Sequence, residues 1–346
     1  MDYLLSAFIE ALAQEQNSYV ENGRIYIRTH HWSPEDVLKA MLTQEAFKNS
    51  FDAWIAERQE ELVTTAEDIL KQFNLEDRFQ ALSEVYKQDA VTPFIGAGLS
   101  MPSNYPSWTA FLRKLRLDTD IDESHFEQLL KIGQYEEAAE LLSNKIRPGF
   151  NEAVHNAFGI SREIFGCVQY LPYVFDTAVI TTNFDNVLKR CYDNARKPFA
   201  ETIPGNLVEQ LPRILATGNK VLVMLHGTAT TGTGRILTKT EYDRHYIKQN
   251  SHKQAITALC QGTLLFIGCS LYVDRTLGVM KQLVKKHGHD NITRHYAFLE
   301  DTGSSETRTA KRNELLACNI YPIWYPAGEH DSSIEAFLTK LAFSKE

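Results

Sequence analysis

From Val91 onward the sequence alternates short apolar runs with helical stretches, and this rhythm limits the fold more than any other feature. The runs are Val91–Ile95, Ala178–Thr182, Lys220–Leu225, Leu264–Gly268, His295–Leu299 and Asn319–Trp324. Each has the length of a strand and is apolar enough to be buried on both faces. Strands separated by helices must be joined by crossovers. The pattern therefore predicts an α/β, Rossmann-like, mostly parallel sheet of about six strands with helices on both faces. The gap after the first strand is long and mostly helical. Ser107-Trp108 opens one helix, and Glu123–Ile132, Glu136–Ile146 and Gly149–Phe158 follow, predicting a helical insertion over about 107–172. Residues 1–90 lack the rhythm. Leu4, Leu5, Phe8, Ile9 and Leu12 recur at helical spacing, Ser33-Pro34-Glu35-Asp36 reads as a capped helix start, and amphipathic stretches cover Phe51–Phe73 and Phe79–Tyr86. Arg24–Arg28 reads as one strand among them. The expected division is a helical N-terminal region, 1–90, suited to oligomer or partner contacts, and a larger unit over 91–346.

Composition removes several classes of function. With 36 basic and 44 acidic residues the net charge is −8, which disfavours a nucleic-acid surface. The start, Met1-Asp2-Tyr3-Leu4-Leu5, has no basic leader, and no apolar run approaches the roughly 18–20 residues of a membrane span. The expectation is a cytoplasmic chain without membrane contact. Cys167, Cys191, Cys260, Cys269 and Cys318 are too widely spaced for a zinc knuckle or a CxxC pair, so free, mostly buried thiols are expected.

The motifs that carry chemistry fall at the carboxyl ends of the strands, where open parallel sheets bind ligands. Gly96-Ala97-Gly98-Leu99-Ser100 follows the first strand. A strand, a glycine turn and a helix N-terminus present amides to a phosphate. Met101 stands where a dinucleotide fingerprint needs its third glycine, so a plain tight turn is the alternative. Thr181-Thr182-Asn183-Phe184-Asp185 follows the second strand. Asn183 and Asp185 are either helix caps or a polar pair facing a cleft. Leu225-His226-Gly227 follows the third. His226 is either a general base or a packed histidine with one satisfied nitrogen. The glycine- and threonine-rich run 227–234 lacks the Lys-Ser/Thr of a P-loop and reads as a turn. Gly268-Cys269-Ser270 follows the fourth, either as a seat for the far end of an extended cofactor or as an ordinary turn.

Taken in order, Gly96-Ala97-Gly98-Leu99-Ser100, Thr181-Thr182-Asn183-Phe184-Asp185, His226-Gly227 and Gly268-Cys269-Ser270 resemble the signature elements of the sirtuins: GAGxS, T-x-N-x-D, the catalytic HG and G-x-S. The resemblance runs from about Val91 to the end. Two departures matter. The four-cysteine zinc module of protein-deacylating sirtuins is missing, and Met101–Trp108 replaces their G-I-P-D-F-R type segment. With its Pro-Ser-Trp ending and helical insertion, the chain is more similar to the sirtuin-like domains of prokaryotic anti-phage defence. That resemblance implies an NAD+ glycohydrolase with NAD+ as substrate and no zinc, depleting NAD in abortive infection. It also implies a homo-oligomer, or a partner such as a HerA-type ATPase, an Argonaute or a phage sensor. By the same resemblance Asn183 and His226 are catalytic. Gly96, Ala97, Gly98 and Ser100 hold the pyrophosphate, Asp185 the nicotinamide carboxamide or the pocket wall, and Gly268 and Ser270 the adenosine half. A non-catalytic module that senses NAD or ADP-ribose, and an NAD-dependent deacylase or ADP-ribosyltransferase, are the alternatives.

Overall fold

The computed structural model describes residues 2–5, 7–8, 19–21, 24–27, 30–33, 45–215, 217–232, 234–272, 275–301 and 303–345. Ile9, Leu12, Arg28 and the helix start expected at Pro34–Asp36 lie outside them. The chain forms two compact units, Met1–Thr65 and Ala66–Glu346.

Among its described residues the first unit holds strands beside helix, and the strand expected over Arg24–Arg28 forms as Arg24–Ile27. Tyr19–Glu21 (β1), Arg24–Ile27 (β2) and His30–Trp32 (β3) make a small antiparallel sheet in the order β1-β2-β3. Aromatic and β-branched residues crowd these segments and favour strands over helix. Phe8 packs against Phe51 and Trp54, with ring centroids 5.3 and 5.6 Å away.

In the second unit all six expected strands form, each end within one residue of its expected place. They are Val91–Ile95 (β4), Val179–Thr181 (β5), Val221–Met224 (β7), Thr263–Ile267 (β8), His295–Glu300 (β9) and Ile320–Tyr325 (β10). A seventh, Glu201–Pro204 (β6), pairs only with β7. Only Ile203 of β6 is buried, so this edge strand leaves no apolar run in the sequence, and Pro204 is tolerated at a sheet edge. The order is β10-β9-β8-β4-β5-β7-β6, and every pair is parallel. The core strands β5, β7 and β8 are buried throughout, which is why they read as unbroken apolar runs.

Residues 66–90 go with this sheet rather than with the N-terminal region. Phe79, from helix Glu76–Lys87, stacks on Phe298 of β9 at 6.5 Å and meets Phe337 at 5.8 Å. Tyr86 donates to the Val174 carbonyl at 2.6 Å. The compact boundary at Thr65 therefore precedes the expected one near 90. The insertion folds as expected into Trp108–Arg116, Glu123–Lys131, Tyr135–Lys145 and Gly149–Val154.

The chain enters the sheet at β4, adds β5 beside it, lays β6 at the edge and β7 between β5 and β6, then returns to lay β8 on the other side of β4. The order therefore reverses between β4 and β8, and in such sheets ligands bind beyond the carboxyl ends of the strands at such a reversal.

Candidate active site

Two glycine turns interlock at that reversal. Ile95 and Ile267 end the paired strands β4 and β8. Just beyond, the Gly96 amide donates to the Ile267 carbonyl and the Gly98 amide to the Gly268 carbonyl, each at 2.9 Å. A Cβ on Gly96 would lie 2.8 Å from the Cys269 Cα, and one on Gly98 2.9 Å from the Gly268 carbonyl oxygen. Gly268 also has a φ of 69°, which favours glycine. The Leu99 and Ser100 amides turn back to the Gly96 and Ala97 carbonyls. The expected row of phosphate-facing amides is therefore largely engaged within the protein, and Ala97 stands exposed at the tip.

The α-helix expected at Ser100 is also replaced. Two short 3-10 turns, Ala97–Leu99 and Met101–Ser103, occupy the segment. Pro102 lacks the donor an α-helix needs, and Asn104 at φ 63° ends the run. The α-helix starts instead at Trp108, where the Ser107 hydroxyl accepts from the Ala110 amide at 3.2 Å.

Relieved of capping, Ser100 joins β4 to the end of β5. Asn183 donates through Nδ2 to the Gly96 carbonyl at 3.1 Å and to Ser100 Oγ at 3.2 Å. A carbonyl partner fixes which end of the amide is nitrogen, and leaves Oδ1 as the acceptor. The turn itself is held by Thr181, whose hydroxyl donates to the Ile95 carbonyl at 2.9 Å and accepts from the Asn183 amide at 3.0 Å. Asp185 is buried, and burial raises its carboxyl above the ordinary range. Bonds from the Val187 amide, at 3.0 Å, and from the Ser100 side chain offset part of that. Asp185 thus does cap the start of the following helix, while Asn183 does not. Phe184, between them, enters an aromatic cluster with Trp108 and Phe158, at 5.9 and 6.1 Å.

His226 emerges from β7, next to β5, and is almost fully buried. Its Nδ1 lies 3.2 Å from the Tyr242 hydroxyl and its Nε2 3.4 Å from the Tyr246 hydroxyl. Burial pushes its pKa down to about 4, so the imidazole is neutral at pH 7, donating from one nitrogen and accepting at the other. Behind it His252 donates from Nε2 to the Leu225 carbonyl at 2.7 Å and is itself pushed down to about 3, first by burial. The two tyrosines lie beneath Arg275, whose guanidinium carbon is 5.2 Å from the Tyr242 ring and 5.8 Å from that of Tyr246. Arg275 bonds Glu136 of the insertion through Nε at 2.8 Å and Asp243 through a terminal nitrogen at 2.7 Å. Burial works against the Arg275 charge, but the two carboxylates more than offset it and hold its pKa above the ordinary value.

Residues 177–323 match the family model described as a SIR2-like domain. The chain is 25% identical over 214 residues to the NAD(+) hydrolase ThsA of Acinetobacter baumannii (strain 532279), covering 62% of this chain and 43% of that protein. It is also 25% identical over 218 residues to the NAD(+) hydrolase ThsA of Bacillus cereus (strain MSX-D12), covering 63% and 44%. The chain thus spans less than half the length of these curated relatives. A solved structure described as "The Structural basis for Sirtuin Substrate affinity" aligns over 71% of this chain and 89% of its own at 14% identity, with a TM-score of 0.30, too low to weigh in the assignment.

The fold gathers Gly96, Gly98, Ser100, Asn183, Asp185 and Gly268 around the β4–β5–β8 ends through the bonds above. His226 follows one strand further, while Ala97 and Ser270 lie exposed at the loop tips. Sequence reasoning missed Tyr242, Tyr246, His252, Arg275 and Glu136. The spacing of Tyr242 and Tyr246, one helical turn apart, was the available signal. None of the five cysteines is in a disulfide, and only Cys269 is not buried. Among the described residues no cluster of His, Cys, Asp and Glu would hold a metal, and no helix is long and apolar enough to cross a membrane.

Proposed function

We propose that this chain cleaves NAD+ to nicotinamide and ADP-ribose, as the NAD-depleting effector of an anti-phage defence system. The observation that carries the reading is the Asn183 amide, held by Gly96 and Ser100 at the strand ends, with a buried neutral His226 on the neighbouring strand. The similarity to two curated NAD(+) hydrolases supports it.

Breaking the nicotinamide–ribose bond builds positive charge on the ribose, while nicotinamide leaves neutral and needs no acid. The site must then position a water and remove one proton. Asn183 has committed both amide hydrogens, so Oδ1 accepts from the water or a ribose hydroxyl and fixes its direction. His226, already neutral, takes the proton at one nitrogen when a substrate hydroxyl replaces a tyrosine there. Asp185 braces Ser100 and the helix start, and so supports the wall behind Asn183. The interlocked glycine turns let the substrate backbone come close, with the pyrophosphate against the Ala97 tip and the adenosine half toward Gly268 and Ser270. We place this reaction in the cytoplasm, in a homo-oligomer or beside a partner protein such as a HerA-type ATPase, an Argonaute or a phage sensor.

The test is release of nicotinamide and ADP-ribose from NAD+, followed by chromatography, for the native chain and for Asn183→Ala. Native release that falls about 100-fold or more in the variant, with the fold retained, is the expected result. NAD+ binding without turnover at every concentration would assign a sensing module instead.

A further inference from the structure

On the β9–β10 flank, away from the ends of β4, β5, β7 and β8, the second unit holds a cavity of about 440 Å³ that the proposed reaction does not use. One wall is a single face of helix Ser305–Leu316. Ser305, Arg308, Thr309 and Arg312 follow the i, i+3, i+4, i+7 spacing of one helical stripe. Arg78, from helix Glu76–Lys87, faces them, and the buried Trp324 of β10 lies among the lining. The lining holds three arginines and no acidic residue, in a chain whose net charge is −8.

The three cations are held differently. Arg308 is paired with Asp301 at 3.2 Å and lies over the Phe73 ring at 5.5 Å. Arg78 is half-buried and donates to the Pro322 carbonyl on the edge strand β10. Its pKa is lowered, first by burial and then by the nearby charge of Arg312. Arg312 is exposed and makes no ion pair among the described residues. Two guanidinium groups facing each other without a carboxylate between them repel, and a shared anion removes the repulsion. Guanidinium forks suit phosphate oxygens, which accept from two donors at once. The start of a twelve-residue helix, with the Ser305 and Thr309 hydroxyls beside it, adds donors and a favourable dipole. The volume is in the range of small-ligand sites.

We propose that this cavity binds a phosphorylated small molecule, held by Arg78 and Arg312 across it and by the Ser305 end of the helix. Its lining shares no residue with the candidate active site, and it does not depend on the proposed hydrolase reaction.

The test is calorimetric titration of the full chain with inorganic pyrophosphate and with ADP, at low and high salt. It compares the native protein with Arg312→Gln, Arg78→Gln and Asn183→Ala. Arg312 is exposed, so its substitution leaves folding intact, whereas Arg78→Gln also removes a bond to β10. A saturable pyrophosphate site is expected, weakened about tenfold by Arg312→Gln and by raised salt and unchanged in Asn183→Ala. ADP binding more tightly than pyrophosphate at this site identifies a nucleotide ligand, and equal affinity identifies the phosphate group alone. No heat at millimolar probe overturns the proposal. So does pyrophosphate binding that survives Arg312→Gln and is lost in Asn183→Ala.

Discussion

Acidification separates a buried catalytic base from an ordinary histidine. Burial sets the His226 pKa to about 4, against an ordinary value of 6.5. At pH 5.5 a group titrating at 4 remains about 97% neutral, whereas one titrating at 6.5 is only about 9% neutral. NAD+ cleavage limited by neutral His226 should therefore be nearly level from pH 7.5 to 5.5, where an exposed histidine base would cost about tenfold. Stability moves in the same window with a defined sign. The folded pKa lies below the unfolded one, so the unfolded state binds the extra proton between pH 6.5 and 4. Stability is full above 6.5 and is lost as the pH falls toward 4. For His226 alone the loss is about 1.4 kcal/mol at pH 5.5. His252, lowered to about 3, and His295, lowered to about 4, act in the same direction. The assay is kcat/KM for nicotinamide release across pH 5–8, with circular dichroism and urea unfolding at each pH. A tenfold fall in kcat/KM between pH 7 and 5.5, in protein that is still folded, would refute the assignment of His226 as a buried neutral base.

Two substitutions probe the surroundings. Gly96→Ala puts a methyl group against the Gly268 carbonyl and the Cys269 backbone, where no flexible side chain can yield, so it should destabilise by about 2–3 kcal/mol in urea unfolding. Gly278→Ala has open space at its Cβ and should cost nothing, which makes it the control. Arg275→Gln leaves Glu136 and Asp243 without their shared cation and uncovers both tyrosines. A stability loss of about 2 kcal/mol is expected, with a fall in kcat larger than any change in KM. Unchanged kcat would show that the tyrosine pair does not help to hold His226.

The sheet was legible because fully buried parallel strands must be apolar along their whole length, and helices between them enforce one direction. β6 was hidden because an edge strand buries one residue and carries polar ones. Of the N-terminal strands, Arg24–Ile27 was legible as a β-branched and aromatic run, while Tyr19–Glu21 and His30–Trp32 are too short to stand out. At the site, Asn183, Asp185 and His226 were visible as polar residues at the ends of apolar runs. Ser100 was legible only as part of the glycine turn, and its bond to Asn183 needs the fold that brings the two together. Arg275 and Glu136 lie 139 residues apart in the sequence, and nothing in either neighbourhood announces the pairing.

The helical insertion explains how such irregular loops hold a site at all. After β4, β5, β7 and β8 the chain runs through 3-10 turns, glycine turns and short helices, none of them rigid alone. The insertion bonds to the segment that follows each of the four strands. After β4, Tyr105 donates to the Ile160 carbonyl and the Phe165 amide to the Ser103 hydroxyl, each at 2.9 Å. After β5, Phe184 enters the Trp108–Phe158 cluster and Asn186 donates to Ser161 at 2.9 Å. After β7, both the amide and the hydroxyl of Thr240 donate to Glu140 at 3.0 Å, and Arg235 bonds Asn151. After β8, Arg275 reaches Glu136. Each bond is worth about 1–2 kcal/mol, small beside the whole stability of a domain. Together they fix the loops that carry Ser100, Asn183 and His226 relative to one another. Positioning to a fraction of an ångström is what a reaction without an acid catalyst for its leaving group requires. The long gap in the strand rhythm is therefore part of the catalytic apparatus under this mechanism, because it makes four separate strand ends act as one rigid site.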